Sequence, residues 1–316
     1  MKHSVFINIF LVAYFCYACG NKHAPEELPE PEAISLLGKA LYPRILPPEV
    51  DKDYKRKLRD TRKVAKAHPK EEIALIWYGR RLAYLGHYRK AIEVYTAGLD
   101  IHPESFKLLR HRGHRYITIR NFDRAIADLS QAAVLAIGTT PETEPDGIPN
   151  KLNKPLTTTQ WNIYYHLGLA YFLNGELEKA LDAWNTCYEL SDNPDVLVAA
   201  TDWLYMTYRR LGRNAEAAEF LSKITPDMKM IENDAYFKRI MMYKGLASPD
   251  ALLHTGPDDT DPALSLATQG YGVGNWHLYN GDTLKAKTVF ENIIEGDYWA
   301  AFGYIAAEAD LARMTE

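Results

Sequence analysis

Residues 72–105 read EIALIWYGRRLAYLGHYRKAIEVYTAGLDIHPES, and the spacing within that stretch decides the fold. Small residues (Gly79, Gly86, Ala91, Gly98) are interleaved with large ones (Tyr78, Leu82, Tyr88, Tyr95), and Pro103 closes the stretch. Apolar residues three and four apart predict amphipathic helices, with turn chemistry between them. The alanine at 91 returns at Ala125, Ala180, Ala217, Ala251 and Ala286, after 34, 55, 37, 34 and 35 residues. A period of about 34 residues marks a solenoid in which each helix–turn–helix unit buries its apolar face against its neighbours.

Working outward, the unit 106–139 carries Leu109, Gly113, Tyr116, Phe122, Ala125, Leu129 and Ala132, with Arg112 where leucine is usual. Residues 161–194 repeat the pattern through Tyr164, Leu167, Gly168, Tyr171, Gly175, Ala180, Trp184, Cys187 and Pro194. Residues 198–227 repeat it through Leu204, Tyr208, Gly212, Ala217, Leu221 and Ile224, but Tyr205 replaces a glycine. The stretch 232–256 is a degenerate unit, whose second helix begins near Pro249 and breaks at Gly256-Pro257. Residues 267–296 recover the pattern with Gly274, Gly281, Ala286, Phe290 and Ile293, and 298–314 reads as a lone capping helix over the last pair.

These residues and spacings resemble the tetratricopeptide repeat family. The resemblance implies an all-α fold, a tetratricopeptide helix–turn–helix superhelix of about five to six repeats plus a capping helix, over 49–316. It also implies a scaffold that mediates protein–protein interaction, and not an enzyme. In that family the first helix of each unit lines a concave groove. Carrying its groove positions over gives Arg80 and Tyr84, Arg110 and His114, Tyr165, then Asp202, Arg209 and Arg210, and Tyr271 and Asn275 as partner-binding residues. A groove of arginine and tyrosine suits a protein or peptide partner with acidic segments, because guanidinium forks grip carboxylates and tyrosine adds rigid contact area.

The N-terminus differs in kind. Lys2 and His3 precede the apolar run Val5 to Phe15, and the small Ala18 stands before Cys19. The run is shorter than the roughly 20 residues a spanning helix needs, so 1–18 reads as a signal peptide. It resembles a bacterial lipoprotein signal, which implies cleavage before Cys19 and acylation of that cysteine. Residues 19–48 then form a Pro/Glu-rich tether. The implied address is a bacterial membrane reached by export, the outer one in particular, with a periplasmic or secreted soluble protein as the alternative. After processing only Cys187 is left unmodified, at a small-residue packing position, so no intrachain disulfide is expected.

Composition excludes other classes. The 316 residues carry a formal charge of −4 with 47% hydrophobic residues, which gives no global field for nucleic acid. The 55-residue step equals one period plus an insertion over 137–159, which holds Pro141, Glu142, Glu144, Pro145, Asp146, Gly147 and Asn150. Loops of that length often carry function. The densest polar cluster, Arg110 to Arg115, faces it, and His111 and His114 share a helix face that His166 could approach. The second reading is therefore a small-molecule or glycan-binding protein, or a metal-dependent enzyme, with its site at His111 and His114 under that loop. No cofactor motif is present: Gly270, Gly272 and Gly274 lack the preceding strand of a phosphate loop. The acidic stretch Leu253 to Ala263, with Asp258, Asp259 and Asp261, lacks EF-hand spacing.

Overall fold

A computed structural model describes residues 30–254 and 261–315. The signal peptide 1–18, Cys19, and the loop residues Asp258 and Asp259 lie outside the described residues. From Pro31 onward the chain is one compact unit. The all-α expectation holds: apart from a two-residue hairpin and an isolated bridge, the described residues form helices and their connections.

Helix α1 (Pro48–Ala67) precedes a run of helix pairs. These are α2 (Glu72–Tyr84) with α3 (Tyr88–Ile101), α4 (Phe106–Thr118) with α5 (Phe122–Leu135), and α6 (Thr159–Leu173) with α7 (Leu177–Glu189). Next come α8 (Pro194–Arg210) with the short α9 (Asn214–Ser222), and α10 (Asp234–Tyr243) with the single turn α11 (Pro249–Leu253). A short α12 (Pro262–Ser265) runs through a π-helical turn, Leu266–Gly270, into α13 (Tyr271–Tyr279), which pairs with α14 (Thr283–Glu295). Helix α15 (Phe302–Thr315) ends the chain.

One contact explains the pairing. A Cβ on Gly79 would lie closer than 3.0 Å to Tyr95, and the same holds for Gly113 against Leu129, Gly168 against Trp184, and Gly274 against Phe290. Each glycine of a first helix thus receives a large side chain of the second helix 16 residues later, at the close-packed density of protein interiors. Tyr205 breaks the rule, and its ring stacks instead on Tyr243 of α10 at 4.6 Å. That aromatic pair ties α8 to the degenerate unit, and the second helix there shrinks to five residues.

Two features differ from the sequence-based expectations. The described part of the tether expected over 19–48, from residue 30 onward, is packed: Ala33–Ile34 pairs antiparallel with Ala40–Leu41 around Gly38 (φ 81°), and Ala33 and Leu41 are buried. Apolar side chains near a tight turn dock this stretch instead of leaving it extended. Trp299 Nε1 donates to the Tyr42 carbonyl at 2.6 Å, and Arg44 pairs with Asp297 at 3.0 Å while covering the Tyr298 ring. The second difference is the reach of α15. It covers the last pair, α13 and α14, but it also touches α6, and Gly303 to Leu311 are buried without a break. A helix that is small or apolar on every side belongs in an interior, and α15 fills part of the concave face expected to be open. Its two central charges are both partnered: Glu308 meets Arg120, and Asp310 meets Arg210, Arg313 and the Tyr271 hydroxyl.

Candidate binding site

Helix α4 begins at Ser105, whose hydroxyl accepts from Leu108 N at 3.0 Å. That start sets the rotation of the Arg-His-Arg-Gly-His-Arg cluster. Arg112 turns toward α5 and forks onto Asp128 at 2.7 and 2.8 Å, so its leucine-type position is filled by an ion pair. Arg110, His111, His114 and Arg115, at helical spacing, turn toward one common chamber.

The insertion packs over them and is held at several points. Glu144 N donates to Thr157 O at 2.9 Å and Thr159 N to Glu142 O at 2.8 Å, while Thr143 bridges Thr158. Arg80 donates to Pro145 O at 2.8 Å and Arg81 to Gly147 O at 3.1 Å. Any side chain at Gly147 would overlap the Tyr84 ring, so the loop reaches α2 only because that residue is glycine. Glu144 pairs with Arg110 at 3.0 Å, both nearly buried. The loop thus delivers a carboxylate to the cluster.

Beneath the loop lies an inner chamber of about 150 Å³, lined by Arg80, Ala83, Tyr84, Tyr95, Arg110, His111, His114, Arg115, Glu144 and His166. An outer chamber of about 520 Å³ shares Ala83, Tyr84, His114 and Arg115 with it. Tyr54, Tyr88, Trp299 and the paired Arg44 add to the lining of the outer chamber, as do Asp261 and Leu264. Among the described residues the Arg115 guanidinium has neither an ion pair nor a hydrogen bond; its Cζ stands 5.5 Å from the Tyr88 ring centroid.

The three histidines line the same chamber. His114 and His166 have ring centroids 4.3 Å apart, and His111 stacks on Tyr95 at 5.8 Å. His111 Nδ1 lies 3.0 Å from Arg110 Nη1 and must accept from it, whereas His166 Nδ1 lies 2.6 Å from the Asn162 carbonyl and must donate to it. Burial, with arginines nearby, holds all three well below the usual imidazole range, so they are neutral. The metal-dependent alternative fits this setting poorly. Among the described residues no three ligating side chains converge, and the surrounding guanidinium charge repels a cation.

The residues expected to bind a partner divide into two groups. Arg80, Tyr84 and His114 are half-buried and line the chambers. The rest are engaged within the chain. Arg110 holds Glu144; Tyr165 shares its hydroxyl with Tyr236 at 2.9 Å and with Trp203 at 2.9 Å. Asp202, fully buried, pairs with Arg239 at 2.7 Å. Arg210 bonds Asn275 and Asp310, Tyr271 bonds Asp310, and the half-buried Arg209 bonds Asn280 at 2.9 Å. The insertion engages Arg110, α10 engages Tyr165 and Asp202, and α15 engages Arg210 and Tyr271, since buried charge must be paired. Arg115, Glu144, Glu308 and Arg120 were missed. The first two lie in segments already marked by the cluster and the insertion. Arg120 occupies a turn where the other repeats place glycine, a departure visible in the sequence. Cys187 is fully buried and its thiol is pushed well above the usual range, consistent with an inert packing residue.

The tetratricopeptide repeat family model matches residues 162–194, the α6/α7 unit. A BBSome complex member, BBS4 of Bos taurus, is 27% identical over 142 residues, which are 45% of this chain and 22% of that protein. The chain therefore spans under a quarter of the curated relative it matches. Among solved structures, MamA aligns over 55% of this chain and 88% of its own, at 22% identity and a TM-score of 0.43. YrrB, described as a TPR protein with an unusual peptide-binding site, aligns over 79% of this chain and 97% of its own, at 15% identity and a TM-score of 0.41.

Proposed function

We propose that the chain is an interaction scaffold that takes an acidic segment of a protein partner at the face formed by α1, α2, α4 and the turn 298–301. One observation carries this reading: Arg115, which has no ion pair among the described residues, stands in a chamber of about 520 Å³ walled by Tyr54, Tyr84, Tyr88 and Trp299. Arginine and rigid aromatic side chains around a concavity are the composition of binding hot spots. The lower groove is filled by the chain's own α15, so the open face is the N-terminal one. We further infer that the protein is exported and acylated at Cys19, which tethers this face near a bacterial membrane, the outer one in particular. The resemblance of residues 1–19 to a lipoprotein signal supports that address.

A photo-crosslinking amino acid placed at Tyr54, in the native host, tests the reading. It should capture a defined protein, Tyr84→Ala should abolish the capture, and the same probe at the exposed Leu284 should not capture it. Equal capture at Tyr54 and Leu284, or none at Tyr54, overturns it.

A further inference from the structure

The inner chamber has more positive charge than it needs. Arg80, Arg110 and Arg115 line it, with the carboxylate of Glu144. Glu144 serves Arg110, and Arg80 is held by a carbonyl and by the Tyr84 hydroxyl, with the Asp146 carboxylate near enough to feel its charge, so three guanidinium groups face two carboxylates. Among the described residues Arg115 has the face of Tyr88 and no ion pair. Guanidinium groups are not discharged in proteins, so the imbalance is permanent and attracts an anion.

The polar atoms around the chamber say more about that anion. Glu144 Oε2 and His166 Nε2 are buried and have no hydrogen-bond partner among the described residues. His166 carries its proton on Nδ1, so its Nε2 is an acceptor. Two orphaned acceptors call for a donor, in the same small space in which Arg115 calls for an acceptor. A phosphate at neutral pH keeps an O–H donor, but its second charge would oppose Glu144 and it has no apolar body to set against the aromatic wall of the outer chamber.

We propose that the two chambers form one site for a carboxylate that carries a hydrogen-bond donor, an N–H or O–H, beside it. The carboxylate sits against Arg115, the donor faces Glu144 and His166, and an apolar body extends between Tyr54, Tyr84, Tyr88 and Trp299. The inner chamber, about 150 Å³, holds the volume of about five waters, enough for such a head group. The outer one falls in the range of small-ligand pockets. The free C-terminus of a peptide and a free N-acylamino or hydroxy acid share this chemistry. The proposal concerns the purified protein alone, so it stands or falls separately from the captured partner.

Isothermal titration of the purified protein tests it with six probes: N-acetylglycine, its amide, propionate, inorganic phosphate, and N-acetyl-trialanine as acid and as amide. Both acids that bear an amide N–H should bind, their amides should not, and propionate should bind more weakly than N-acetylglycine. Tighter binding of the trialanine acid identifies a peptide end, and tighter binding of N-acetylglycine identifies a free small acid. Arg115→Met should weaken binding on the order of tenfold or more, as expected when a charge-assisted hydrogen bond is lost. Binding of the amides as tight as that of the acids in the unmodified protein overturns the proposal, as does preference for phosphate. So does an Arg115→Met protein that melts normally and binds N-acetylglycine unchanged.

Discussion

Arg120 and Glu308, 188 residues apart, form a bidentate ion pair at 3.1 and 2.7 Å, with side chains 3% and 1% exposed. Arg120 also donates to the carbonyls of Thr118 and Trp299. Its backbone is left-handed, φ 66°, at the inter-helix turn that Gly86, Gly175, Gly212, Gly245 and Gly281 occupy in other units. A non-glycine residue there costs about 1 kcal/mol. The chain tolerates that cost because the arginine joins the second unit to the terminal helix. Glu308 accepts in addition from Leu36 N at 2.6 Å, so one carboxylate gathers the N-terminal hairpin, the second repeat and α15.

Removing this arginine tests the closure. Arg120→Gly relieves the backbone but leaves Glu308 buried without its partner, a loss of about 3–5 kcal/mol for a broken buried pair. The net destabilisation should be about 2–4 kcal/mol in denaturant unfolding. Adding Glu308→Gln should recover a large part of it. A stability equal to that of the unmodified protein in Arg120→Gly would show that the pair does not hold α15.

Arg112 and Asp128 offer a second test of paired charge. Arg112→Leu restores the usual residue of the repeat yet should destabilise, because Asp128 is buried and loses both hydrogen bonds. The double variant Arg112→Leu/Asp128→Leu should return to within about 1 kcal/mol of the unmodified protein or exceed it, since apolar replacement of such pairs is often neutral or stabilising. A single variant as stable as the double would contradict this account.

The buried histidines make stability depend on pH. His111 and His166 are held well below the ordinary value of 6.5 by burial and nearby arginine. As pH falls through about 6.5, the unfolded chain takes up protons that the folded chain refuses. Their contribution is therefore complete above that pH and is lost below it, by about 1.4 kcal/mol per pH unit for each histidine. Melting temperature should fall between about pH 6.5 and 5 and fall less steeply in His111→Gln/His166→Gln. The same slope in both proteins would assign the effect elsewhere.

Processing at the N-terminus is open to direct measurement. Mass spectrometry of the protein from the membrane fraction should show an N-terminal peptide that begins at an acylated Cys19, and Cys19→Ser should move the protein to the soluble fraction. An unmodified Cys19, or a chain that keeps residues 1–18, would remove the lipid anchor from the proposed function.

The helix pairs were legible because their determinants are local. Gly79 with Tyr95 and Gly168 with Trp184 lie within one unit, and the short separation repeats along the chain as a pattern. The chamber was half legible. The Arg110 to Arg115 cluster and the acidic insertion both stood out, but only the structure shows that Glu144 takes Arg110 and that Arg115 is left without an anion among the described residues. The inward turn of Asp202 and Arg210 was not legible, because groove positions carried over from a regular superhelix presume an empty groove.

What the sequence alone determined is the repeated unit: two helices, their close-packed seam, and the place of the insertion. The tertiary structure decided where successive units bring distant residues. Small rotations between neighbouring pairs accumulate along a solenoid, and Tyr205 and the short α11 disturb that accumulation partway. Whether α15 caps the end or returns to α6 depends on that sum, to which every unit contributes and which no single unit encodes. Arg120 and Glu308 record the answer across 188 residues, a separation at which the repeat pattern carries no information.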